Sequence, residues 1–113
     1  MRILTEQDFE KVFGADSSIN IYEKYLYYYK SLESHESILL ERINGISLSD
    51  ILYSKYYWFL KLKRENERIN GMDAGYDQQA DDLVVSIYEY SGVDFDAEIY
   101  AKSIETIENL VYG

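Results

Sequence analysis

Along most of this chain, apolar side chains return every three or four residues with polar and charged ones between them, which is the period of an amphipathic helix. Thr5-Glu6-Gln7-Asp8 reads as a helix start, with Thr5 as N-cap and acids in the first turn. Phe9, Val12 and Phe13 give that helix one apolar side, and Gly14 ends it. Asp16-Ser17-Ser18 offers a second set of capping residues. From Ile19 to Leu32 the residues Tyr22, Tyr25, Leu26, Tyr29 and Leu32 fall on a helical stripe, with Glu23, Lys24 and Lys30 outside it. Tyr and Ile also favour strands, but the place of Leu26 and the lack of clean alternation predict helix.

A short third helix is expected over Ser34 to Ile43, capped by Ser34, with Ile38, Leu39 and Ile43 inward. Asn44-Gly45 stops it, since both residues accept a left-handed backbone. Ser47-Leu48-Ser49-Asp50 then opens the longest helix, running to about Ile69. Its inward row is Leu52, Tyr56, Phe59 and Leu62, flanked by Ile51, Trp58 and Ile69, and Asn70-Gly71 closes it. Asp77 to Ser91 carries Ala80, Leu83, Val84, Ile87 and Tyr88 on one face. Asp94 to Val111 carries Ile99, Tyr100, Ile104, Ile107, Leu110 and Val111. The competing reading of residues 83–102 is a β-hairpin turning at Ser91-Gly92, with Val85, Ile87, Val93, Phe95 and Ile99 in strands. The helical pattern runs past both of its ends. The expected fold is all-α, a compact bundle of five to six helices.

Composition agrees with this picture. Proline is absent and glycine occurs only six times, too little punctuation for most all-β folds. The 113 residues, 47% of them apolar, suit a single helical domain spanning 1–113 with a real core. No apolar run exceeds five residues, as at Tyr56–Leu60, far short of a membrane span. Met1–Glu6 lacks the apolar stretch of a secretory signal. Cysteine is absent, which excludes disulfides and thiol chemistry and accords with the expected cytoplasmic location.

Charge changes the picture more. There are 21 acids against 11 bases, a net charge of −10, and the imbalance is local. Residues 55–69 hold Lys55, Lys61, Lys63, Arg64 and Arg68 against Glu65 and Glu67. Residues 70–113 hold ten acids against Lys102 alone. One reading of the acids is a solvated surface, helped by helix N-termini and by the basic stretch. The other is an imitation of a phosphate array that enters the basic groove of a protein partner, drawn in by its field. Asp73, Asp77, Asp81, Asp82, Glu89, Asp94, Asp96 and Glu98 would supply that field.

Tyrosine, at 13 residues, is the strongest compositional bias. Tyr25, Tyr27, Tyr28 and Tyr29 circle most of one helix, and Tyr53, Tyr56 and Tyr57 repeat this on another, so they cannot all face one core. They either pack at the edge of the core or contact a partner, a use to which a ring with a water-tolerant hydroxyl is suited. Tyr27, Tyr28, Tyr53 and Tyr57 are the candidates for contact.

Sites for chemistry are sparse. His35 is the lone histidine, in the polar segment Ser34-His35-Glu36-Ser37, and no serine lies in a Gly-x-Ser-x-Gly context. Asp94-Phe95-Asp96-Ala97-Glu98 with Glu105 imitates the acid spacing of a calcium loop, but Ile99 stands where the turn needs glycine. No phosphate loop, metal motif or cofactor signature occurs. Aromatics beside Lys61-Leu62-Lys63-Arg64 resemble a single-strand stacking platform, although Glu65 and Glu67 dilute it.

The expectation is a non-enzymatic acidic protein without cofactor or metal, binding neither nucleic acid nor membrane directly. Its partner would be another protein, a DNA- or RNA-handling one, inhibited as mobile genetic elements inhibit host systems. The alternative is a phage-type assembly, chaperone or structural module packing through aromatic helices, in which the partner includes further copies of the chain.

Overall fold

In a computed structural model, residues 1–15, 20–71, 74–90 and 97–113 are described. They form six helices: α1 (Glu6–Phe13), α2 (Ile21–Ser34), α3 (Glu36–Arg42), α4 (Leu48–Asn70), α5 (Ala74–Tyr90) and α6 (Ala97–Tyr112). The fold is all-α, and no strand occurs among the described residues. The hairpin reading fails because Leu83–Tyr90 and Ala97–Lys102 are helical; its turn at Ser91-Gly92, like the caps Asp16-Ser17-Ser18, lies outside the described residues.

Local chemistry sets the helix starts. Thr5 and Asp8 form a capping box on α1: the Thr5 N–H donates to Asp8 Oδ2 at 2.8 Å, and Asp8 N–H donates to Thr5 Oγ1 at 3.4 Å. Ser47 and Asp50 repeat it on α4, at 3.0 and 3.3 Å. Asn20 caps α2 by accepting the Glu23 N–H at 2.9 Å. Gly71, at φ 81°, ends α4 in a conformation that side chains resist. The expected Ser34 cap is not used. Ser34 is the last residue of α2, and His35 serves both helices: its N–H donates to Ser31 O and its carbonyl accepts from Leu39 N–H. With one residue between helices there is no room for a separate side-chain cap.

The 23 residues of α4, about 35 Å of helix, are the axis of the molecule. It packs against α2 on one side and α5 and α6 on others, while α3 lies on α2 and α5 touches α6. A helix packed on several sides must be apolar over more than one face where those neighbours cover it. The buried residues of α4 accordingly include Tyr53 and Leu60 beside the expected Tyr56, Phe59 and Leu62 and their flanking Ile51 and Trp58. Leu52, expected inward, is only half-buried. Ile69 is exposed because the last turn of α4 runs beyond the core, and Ile99 and Leu110, also expected inward, are exposed at one flank of α6.

The segment before α1 is an unanticipated part of the core. Its backbone lies along α4 and bonds to residues one turn apart: Arg2 N–H to Asp50 Oδ1 (3.0 Å), Leu4 N–H to Ser54 Oγ (2.9 Å), and Trp58 Nε1–H to Leu4 O (2.9 Å). The 50, 54, 58 row is a helical stripe that reads an extended strap. Leu4 is fully buried beneath it, and the buried Ser54 and Trp58 polar atoms find partners there, as buried polar groups require.

Candidate partner-binding face

Helical phase divides α5 cleanly. Ala80, Leu83 and Ile87 are buried against the core, while Asp77, Asp81, Asp82, Val85 and Glu89 are exposed. Asp77, Asp81 and Glu89 recur in multiples of four residues, so they rise along the helix in steps of about 6 Å or twice that. The helix contains four acids and no base. On α6, Ile104, Ile107 and Val111 face inward, and Glu98, Glu105 and Glu108 are exposed, with Lys102 the single base.

Lys63 anchors the base of this acidic surface. Its ammonium lies 2.6 Å from Glu67, 3.1 Å from Asp77 of α5 and 3.4 Å from the hydroxyl of Tyr112 on α6. Burial alone would favour the neutral amine, but these acceptors outweigh it and hold Lys63 above the ordinary lysine range. Nearby, burial pushes the Tyr56 hydroxyl up to about 12, reinforced by Glu108, Tyr112 and Asp81. Acids from α5 and α6 thus act on the same buried tyrosine. Asp81, Asp82 and Glu89 meet no cation among the described residues; the Asp82 carboxylate accepts the Gln78 amide at 3.0 Å.

Of the residues singled out from sequence, Asp77, Asp81, Asp82, Glu89 and Glu98 are on this surface. Asp73, Asp94 and Asp96 lie outside the described residues. Two of the tyrosine candidates need correction. Tyr28 is 1% exposed, stacked on Phe9 at 4.6 Å and edge-on to Trp58 at 4.7 Å. Tyr53 is 5% exposed, its ring 6.2 Å from Tyr100. Both are interior because α1 and α6 close over faces of α2 and α4 that periodicity alone leaves open. Tyr27 and Tyr57 are half-buried, Tyr57 edge-on to Trp58 at 5.0 Å. Tyr90 and Tyr112 are the more exposed tyrosines, and both flank the acids. Tyr112 follows Val111, about 100° round the helix from the inward row, and that is the sequence signal for its exposure.

His35 is exposed, with its ring tilted against Phe13 at 5.4 Å. Among the described residues no three His, Asp or Glu side chains gather where they could hold a metal, and no helix is long and apolar enough to cross a membrane. Glu98 sits in the first turn of α6, while Asp94 and Asp96 of the calcium-like spacing are outside the described residues.

No protein-family model, curated protein or solved structure matches this chain. What the site can do rests on its own chemistry.

Proposed function

We propose that this protein acts by binding another protein through the acidic outer face of α5 and α6, and that its partner presents a cationic groove built for nucleic acid. The observation that carries this reading is α5 itself: four exposed carboxylates, no base, and, among the described residues, only Asp77 neutralised from within the fold. Uncompensated carboxylates on a rigid helix form a fixed negative array, and such an array speeds and orients docking to an opposite field. Val85, half-exposed amid the acids, and Tyr90 at the helix end add short-range contact.

The test compares the wild-type chain with D77N/D81N/D82N/E89Q, immobilised and exposed at low salt to lysate of the native host. All four positions are exposed, so the variant keeps its circular dichroism. The expected result is a nucleic-acid-handling protein retained by wild type, released by salt and by competing nucleic acid, and retained at least tenfold less by the variant. Equal retention by both proteins overturns the reading.

A second reading is favoured by Ile99 and Leu110, each more than half exposed on the same flank of α6. Leu110 borders a notch of about 280 Å³ with Ile3, Leu4, Tyr57 and Trp58. A contact there would serve an assembly module, and its association would persist at high salt where the acidic contact is screened.

A further inference from the structure

Away from the acidic face, the sign of the surface reverses. A pocket of about 270 Å³ is lined by Tyr25 of α2 and by Lys61, Arg64, Glu65 and Arg68 of α4. The three cations stand at three- and four-residue steps, so they share one side of the helix. Their surroundings differ. Arg68 is held by Glu65, with Nε 3.1 Å from Oε1. Lys61 and Arg64 form no ion pair with a carboxylate within 4 Å among the described residues, although the chain carries 21 acids. The Lys61 ammonium instead lies between two rings, 5.8 Å from the centroid of Tyr25 and 5.6 Å from that of Tyr57. Arg64 is oriented by donating Nη1–H to the Val111 carbonyl at 2.7 Å, near the end of α6. That bond leaves the other guanidinium donors uncommitted.

We infer that this pocket binds the phosphate group of a small phosphorylated molecule. A planar carboxylate is satisfied by one guanidinium fork, whereas a tetrahedral oxyanion accepts from several donors in different directions. Lys61, Arg64 and Arg68 supply such a divergent set. The Glu65–Arg68 pair is also the rim of a second, larger hollow of about 760 Å³, whose wall includes Tyr22, Leu26 and the exposed Ile21 and Ile69. A phosphate seated among the cations would direct the rest of its molecule toward these apolar side chains. The ligand class is therefore a phosphomonoester with an apolar or aromatic body. The pocket shares no residue with the acidic face, so its test is independent of that reading.

The experiment is a titration of the intact protein, followed by amide NMR shifts, with inorganic phosphate, phenyl phosphate and, at matched ionic strength, sodium chloride. Saturating shifts at Tyr25 and at 61–68 are expected with both phosphates and not with chloride, with phenyl phosphate half-saturating at least threefold lower. Two variants move affinity in opposite directions. K61Q weakens phosphate binding at least fivefold. E65Q removes the competing carboxylate, releases Arg68 and tightens it severalfold. Phosphate shifts that merely follow ionic strength, or affinities unchanged in both variants, overturn the site. Equal affinity for the two phosphates overturns the monoester assignment and leaves free phosphate as the ligand.

Discussion

Tyr28 and Tyr27 are neighbours in sequence with opposite fates. The Tyr28 ring sits between Phe9 and Trp58, so three helices meet on it; Tyr27 is half-buried with its ring 5.8 Å from that of Tyr28. Truncating a large buried aromatic removes its transfer energy and leaves a cavity that the walls only partly fill. Y28A should therefore cost about 3–5 kcal/mol, whereas Y27A should cost about 1 kcal/mol, the centre of the range for point substitutions. Urea denaturation of the two variants measures this directly. Similar losses would mean that Tyr27 is as much a part of the core as Tyr28.

At the scale of the element, Asp50 joins two structures. One carboxylate oxygen accepts the Ser47 N–H in the capping box of α4, and the other accepts the Arg2 N–H of the strap. Partial burial opposes its ionisation, but the bonds from Ser47 and Arg2 and the N-terminal charge together prevail and hold its pKa below the ordinary value. The folded state then binds fewer protons than the unfolded one near that pKa, so the stabilisation is complete above the unfolded value of about 3.9 and fades as pH falls through the lower folded one. D50A should cost about 1–2 kcal/mol at pH 6 through loss of the cap and the strap bond. The gap between variant and wild type should narrow below about pH 4. A gap that stays constant down to pH 2.5 would mean the carboxylate charge contributes nothing.

For the whole molecule, the net charge of −10 is a self-repulsion that the fold concentrates rather than disperses. α5 and α6 pack together and both expose acids, of which Lys63 offsets Asp77 and Lys102 offsets Glu98. Compacting like charge costs stability, and salt screens that cost within about 10 Å at 0.1 M. The thermal midpoint should rise with added sodium chloride. D81N/D82N should melt higher than wild type in 10 mM buffer, with the difference gone by about 0.5 M salt, where the screening length is only a few ångströms. A variant that melts lower at low salt would show these acids to be engaged inside the fold, and would remove the basis for a docking face.

The sequence by itself determined the helices, the capping boxes of α1 and α4, and the polarity of α5. Those properties depend on residues within a turn or two of each other: Thr5 with Asp8, Ser47 with Asp50, and the helical period that puts Asp82, Val85 and Glu89 opposite Ala80, Leu83 and Ile87. Hydrophobic period could not decide which tyrosines are interior, because a helix ringed by aromatics looks the same whether one neighbour covers it or three. Packing decided that, by closing α1 on Tyr28 and α6 on Tyr53. The strap, the Lys63 junction and the tie of Arg64 to α6 were out of reach, although the basic stretch that lines the pocket was plain in the sequence. Leu4 meets Ser54 across 50 residues, Lys63 meets Tyr112 across 49, and Arg64 meets Val111 across 47. Such pairings have no local signature, since they exist only once α4 has been enclosed and its remaining polar groups must find partners wherever the chain returns.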